Sequence, residues 1–342
     1  MLLNNFPIWF CRCVLVFSLL AAVFSFLPSQ TVKRIQITGK AQGTTYSIIY
    51  YAPDSLVRKL QIDSLLNRID ESLSIYKPNS LINRFNNSTT GYVSDFHLNA
   101  VVTKSLEIYR NTSGLFDITV MPLTEAWGFG VKRDTLIPDA KTINAILPCI
   151  GSHHLKLEGN RLNKDLACTK IDVNGIAQGY SVDLLAQLLE RCGIQNYIIE
   201  LGGEIRVKGR KSGNQKMKIG IESPATADLE AGIFKRILAI DSGAITTSGN
   251  YRRFYESGGK HITHLFDPHT GYSINNELIA ATVYARDAMT ADGYDNALMN
   301  MGLKKALEFV SNQNKIAAYF IYTDERGNVR DTASTAFYKL FQ

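Results

Sequence analysis

Beyond the first thirty residues, apolar and polar positions alternate over residues 32–51 around a Gly43-Thr44-Thr45 step, which predicts a hairpin or two strands. The period then lengthens. Within residues 55–73, Leu60, Ile62, Leu65, Leu66, Ile69 and Leu73 recur near helical spacing, and a Pro78-Asn79 turn follows. Residues 98–112 and 140–147 are further helix candidates. The clearest helix covers residues 182–192 and is stopped by Gly193, in the place where a left-handed residue closes a helix. Residues 197–201 form an apolar run closed by Gly202-Gly203, a buried strand with more strand material to Ile221. Residues 279–285 and 317–322 read as strands, and 287–301 as a helix ended by Gly302. Antiparallel-looking hairpins beside segregated helices argue for an α+β fold rather than a doubly wound parallel sheet.

The first thirty residues break this pattern. Residues 6–27 are apolar apart from Arg12, Ser18 and Ser25, which marks residues 1–30 as a signal peptide or an N-terminal membrane anchor. Only Arg12 stands in the basic region and no A-x-A site follows, which favours an uncleaved anchor. Cys11 and Cys13 precede the apolar run, whereas a lipid-attachment cysteine would follow it. No Pro/Ser-rich linker interrupts the remainder, so residues 31–342 read as one catalytic unit. It is expected at the inner membrane facing the periplasm, or exported after leader cleavage.

Composition narrows the function. Hydrophobic residues make up 45% of the 342, enough for a core and too many for a disordered chain. The 37 Lys+Arg against 31 Asp+Glu leave +6, a mild excess suited to an anionic ligand. No basic run appears, which argues against nucleic acid. Of five cysteines, Cys149, Cys168 and Cys192 lie beyond the leader, without a C-x-x-C pair. That leaves room for at most one internal disulfide.

Four clusters could carry chemistry. Gly114-Leu115-Phe116-Asp117, running on to Pro122 and Trp127-Gly128-Phe129-Gly130, sets aromatics beside glycines; this makes a stacking surface or an ordinary aromatic core. Residues 171–180 (IDVNGIAQGY) form a glycine-bearing strand-to-helix passage whose N–H groups would suit phosphate, although Asp172 could equally cap a turn. His261, His264, Asp267 and His269 invite a zinc site. Strand-favouring Ile262, Thr263, Leu265 and Phe266 would send His261 and His264 to opposite faces, so His264 as a base oriented by Asp267 is more economical. Asp292, Asp295 and Asn296 share one helical face, either a solvated face or an oxygen-rich site for Mg²⁺ or Ca²⁺.

Taken in order, these stretches resemble the FAD:protein FMN transferases, the ApbE family. The matching runs are GTTY from Gly43, SIYKPNSLINRFN from Ser74, GLFDITVMPLTEAWGFG from Gly114 and IDVNGIAQGYSVD from Ile171. They continue with ELGGEIRVKG from Glu200, ITTSGNYRRFY from Ile245, HLFDPHTG from His264 and ADGYDNALMNMG from Ala291. The resemblance implies an ApbE-type (T-fold-like) α+β fold with mixed sheets and packed helices. It also implies an enzyme that splits FAD, links FMN through a phosphoester to a Thr or Ser of a target flavoprotein, and releases AMP.

By the same resemblance Gln42, Tyr76, Leu115, Phe116, Asp117, Asp172, Gln178 and Leu265 contact FAD. Mg²⁺ falls to the Gly175 carbonyl, Asp292, Asp295 and Asn296, and His264 is the catalytic histidine, with Asp267 placed to orient it. Residues 246–249, read as a turn, would offer hydroxyl and N–H groups to phosphate or target. Three positions depart from the family: Asn296 stands where Thr is common, Gln178 where Lys is frequent and Gln42 where Met is frequent. None removes the acidic residues or the histidine, so activity is expected. Two other readings use the same residues: an FAD pyrophosphatase giving FMN and AMP, and a non-catalytic anchored flavin-binding module. Clients would be flavinylated membrane redox complexes or secreted flavoproteins.

Overall fold

The computed structural model describes residues 31–131, 137–222, 234–251, 254–257 and 260–341; the leader, with its signal-or-anchor reading, lies outside them. Among the described residues no helix is long and apolar enough to cross a membrane.

The chain begins with strands β1 (Lys33–Ala41) and β2 (Thr44–Ala52), helices α1 (Lys59–Leu73) and α2 (Leu81–Asn87), and strand β3 (Gly91–Val93). Helices α3 (Phe96–Asn111), α4 (Met121–Ala126) and α5 (Ala140–Ile146) precede β4 (Leu155–Glu158), β5 (Arg161–Lys164) and α6 (Ala177–Arg191). Seven strands follow: β6 (Tyr197–Leu201), β7 (Glu204–Lys208), β8 (Met217–Glu222), β9 (Phe234–Ile240), β10 (Ser242–Gly249), β11 (Phe254–Ser257) and β12 (Lys260–Thr263). Last come β13 (Leu278–Ala285), α7 (Ala288–Met301), α8 (Leu303–Ser311), β14 (Ile316–Thr323), β15 (Val329–Ala333) and α9 (Thr335–Tyr338).

Eight strands make one sheet in the order β1-β2-β6-β7-β10-β13-β14-β15. Every pairing in it is antiparallel, as the hairpin-rich sequence predicts. Its two faces feed different cores because successive side chains alternate. In β14, Ile316, Ala318 and Phe320 enter the larger core with α1, α3, α6 and α7. Ala317, Tyr319 and Ile321 enter a smaller one against β8, β9 and Phe337. A third cluster joins Leu123, Trp127, Ile143, Ile150, Ile262 and Phe266.

The first hairpin turns through Gln42 (φ 53°) and Gly43 (φ 75°), the positive-φ pair that a two-residue loop requires. Gln42 is thus held in a conformation unusual for a side chain with a Cβ. Two expectations change. Helix α6 starts at Ala177 rather than Val182, so Gln178, Gly179 and Tyr180 sit inside it. Residues 246–249 belong to strand β10, not to a turn. Cys149 and Cys168 form a disulfide, while Cys192 remains a thiol.

Candidate functional site

Helices α6 and α7 meet backbone to backbone. A Cβ on Gly179 would collide with the Ala288 carbonyl and the Asp292 side chain, so only glycine permits the crossing. There Asp292 Oδ2 accepts the Gly179 N–H at 2.8 Å. The positive end of α6, expected to suit phosphate, therefore already faces an internal carboxylate. One face of α7 carries the rest of the cluster. Asp292 and Asp295 are 5% and 2% exposed, which excludes the solvated polar face.

Asn296 Nδ2 donates toward three oxygens at once: Asp295 Oδ1 at 3.0 Å, the Asp292 carbonyl at 3.1 Å and the Gly175 carbonyl at 3.3 Å. Ser248 Oγ donates to Asn296 Oδ1 at 3.3 Å from the neighbouring β10. The Thr246 hydroxyl on the same strand face is buried beside Asp295. Burial raises both carboxylates above their ordinary range; in Asp292 the Gly179 N–H opposes this, and in Asp295 the charge of Asp292 adds to it. Neither has an ion-pair partner among the described residues.

The loop entering α6 is clamped from outside. Asn86, at the end of α2, accepts the Ile171 N–H at 2.8 Å and donates to the Ile171 carbonyl at 2.9 Å. Asp172 takes the Asn174 N–H at 2.8 Å, a local turn. Asn174 Nδ2 also reaches the half-exposed Tyr76 hydroxyl at 3.4 Å. Phe116 closes the other flank: a Cβ on Gly175 would lie 3.7 Å from its ring and 3.1 Å from Asn296 Nδ2. The aromatic, loop and α7 clusters therefore converge at Gly175.

Several expected FAD contacts have other work. Asp117 is buried and accepts from the backbone N–H and hydroxyl of both Thr119 and Ser152, at 2.6–3.0 Å. Burial pushes its carboxyl up, and those donors pull it back. The side chain thus pins its own segment. Leu265 belongs to the larger core. Leu115 lends its carbonyl to Asn300 Nδ2 at 3.1 Å. Gln178 lies beside Gly202. Gln42 donates to Ser181 Oγ at 2.8 Å and keeps Oε1 buried without a partner.

His264 lies in a bend one residue beyond β12, so strand parity does not govern its direction. Its ring centroid is 6.3 Å from that of Phe129, which packs edge-on against Phe266. Trp127 stacks on Phe266 and donates to the Gly271 carbonyl at 2.9 Å. Asp267 behaves differently from the expected orienter. Its Oδ1 accepts the His269 N–H at 2.9 Å and lies 3.6 Å from His269 Nδ1, so it organises the turn around His269 rather than around His264. That turn adjoins the Gly114–Asp117 segment, since a Cβ on Gly114 would fall 2.9 Å from His269 Nε2. An open cleft of about 540 Å³ runs from Asp267 past Tyr272, Asn300, Lys304 and Lys305.

Sequence reasoning gave no role to Asn86, Asp183 or Ser152. The first two end the runs SIYKPNSLINRFN and IDVNGIAQGYSVD, but their partners are largely backbone groups, which side-chain patterning does not reveal.

A family model, "ApbE family", matches residues 42–320. A protein of Vibrio cholerae named FAD:protein FMN transferase is 35% identical over 258 residues, 75% of this chain and 76% of that one. A Haemophilus influenzae protein of the same name is 34% identical over 321 residues, 90% and 92% of the two chains. The solved Flavin Transferase ApbE from Vibrio cholerae matches with a TM-score of 0.82 at 33% identity, covering 90% of this chain and 99% of that one. The apo Pseudomonas stutzeri flavinyl transferase ApbE does so at 0.82 and 33%, covering 91% and 97%. The chain belongs to the ApbE family.

Proposed function

We propose that this transferase moves the FMN half of FAD onto a Thr or Ser hydroxyl of a target flavoprotein and releases AMP. One observation carries the reading: three oxygens converge on the single amide nitrogen of Asn296, beside two buried carboxylates without ion-pair partners among the described residues. Carboxylate, amide and carbonyl oxygens suit a hard divalent cation such as Mg²⁺. The Gly175 carbonyl, Asp292, Asp295 and Asn296 would hold it, and when bound it would offset diphosphate charge as the bond breaks. The names of the relatives support the flavin substrate.

The remaining steps fall to the chain's own groups. A neutral hydroxyl is a poor nucleophile, so His264 would take its proton. The acceptor oxygen bonds to the FMN phosphorus while the bond from that phosphorus to the AMP phosphate oxygen breaks, and AMP leaves with the electron pair. Half-exposed Tyr76 offers a ring for stacking on one side of the Asp172–Gly175 loop, and buried Phe116 backs the loop on the other. Phe129 restricts the His264 ring by packing near it.

The same reading treats residues 31–342 as the catalytic unit, held by the leader at the inner membrane with the site outside the cytoplasm. The Cys149–Cys168 disulfide supports an oxidising compartment, where flavoproteins would be the clients. Incubation with FAD, Mg²⁺ and a co-expressed acceptor, followed by mass spectrometry, tests the activity. The expected result is covalent FMN on an acceptor Thr or Ser, with AMP in equal amount. Release of FMN and AMP without labelling would make the protein a pyrophosphatase instead.

A further inference from the structure

Each of the two crossing helices closes the start of the other. Asp292, on α7, takes the Gly179 N–H in the first turn of α6. In return Asp183, on α6, takes the N–H groups of Ala288 and Met289 at the start of α7, one per carboxylate oxygen and both at 2.9 Å. Asp287 takes the next, from Thr290, at 2.8 Å. Helix N-termini carry orphan N–H donors, and leaving them buried without acceptors is costly. Asp183 is 6% exposed and also pairs with Arg206 of β7, whose guanidinium offsets its charge.

The candidate cation ligands are split across this joint. The Gly175 carbonyl belongs to the entry of α6, whereas Asp292, Asp295 and Asn296 ride on α7. Their spacing is therefore the spacing of the two helices. Metal–ligand distances tolerate only about ±0.2 Å, so whatever fixes the crossing also fixes the affinity.

We infer that Asp183 is a positioning residue for the cation site: by gripping the first N–H groups of α7, it sets the distance between the Gly175 carbonyl and the α7 ligands. The inference rests on the cation reading proposed above. The Gly179 contact works in the same sense, since the helices cannot separate there without losing the Asp292 bond. Arg206 completes the grip by pairing with the Asp183 carboxylate from β7.

The test is Mn²⁺ binding, followed by the electron paramagnetic resonance signal of free Mn²⁺, on the folded, unliganded protein. Asp183→Asn keeps the shape but turns an amide donor toward N–H donors, and should weaken Mn²⁺ binding about tenfold or more. Leu189→Ala, a buried truncation on the same helix, should lower the melting temperature comparably and leave Mn²⁺ affinity unchanged. Should Asp183→Asn fail to fold, Arg206→Lys is expected to weaken binding in the same direction by a smaller factor. Wild-type affinity in Asp183→Asn or Arg206→Lys, or an equal loss in Leu189→Ala, overturns the inference. A wild-type protein that binds no Mn²⁺ overturns the cation reading itself.

Discussion

Without a divalent cation, the protein should become less stable as pH rises from about 4 to about 7, the opposite of ordinary acid denaturation. Burial lifts Asp292 from the usual 3.8 to about 7, and burial together with the charge of Asp292 lifts Asp295 well above its ordinary value. Across that window the folded state holds a proton that the unfolded chain has released, so the free energy of unfolding falls with pH. Each pH unit costs about 1.4 kcal/mol per proton, so the Asp292 proton alone over about three units amounts to about 4 kcal/mol, and Asp295 acts in the same direction. A bound cation would replace the proton and flatten the slope. Urea unfolding, followed by Trp127 fluorescence at several pH values with EDTA or with excess Mg²⁺, separates the two cases. Asp117 and His97 are shifted too, but they titrate in both arms and cancel in the difference. If the gap between the arms stays constant from about pH 5 to 7, the linkage argument is wrong.

Three further outcomes follow from the described contacts. Asp117→Asn turns an amide donor toward Thr119 and Ser152, and should cost about 3 kcal/mol in urea unfolding; a loss of FAD affinity at unchanged stability would instead mark a direct flavin contact. His264→Ala should slow AMP release into the acceptor reaction at least about a hundredfold while FAD binding by fluorescence changes little; retention of rate removes His264 from proton transfer. Cys149→Ser with Cys168→Ser, or treatment with dithiothreitol, should lower stability by about 3 kcal/mol, since the bridge spans a separation of 19 residues. A melting curve unmoved by both treatments would contradict that figure.

Much of the fold was legible because period and burial coincide. The opening hairpin, α1, α3, α7 and the strands from Tyr197, Leu278 and Ile316 carry clean patterns of two or nearly four. The start of α6 was not, because Gly179 and Ser181 are weak helix formers, and the crossing with α7 that demands Gly179 is invisible along the chain. Strand β10 was misread for a similar reason. Its Thr246, Ser248 and Gly249 look like turn chemistry, yet the first two face α7. The α7 acids were correctly grouped on one face by spacing alone. Asp267 was misjudged because a three-residue offset says nothing about direction in a turn, and its carboxylate serves His269.

The sidedness of the large sheet has a practical corollary. Arg206, Thr246 and Ser248 project toward the helices that carry the candidate ligands, whereas Ile205, Val207 and Ile245 project into the opposite layer with Met217, Leu238 and Phe337. That rear layer holds none of the proposed reacting groups. It is therefore where robustness could be engineered, by repacking aliphatic side chains or grafting a spectroscopic label, while catalysis in front serves as the unaltered control.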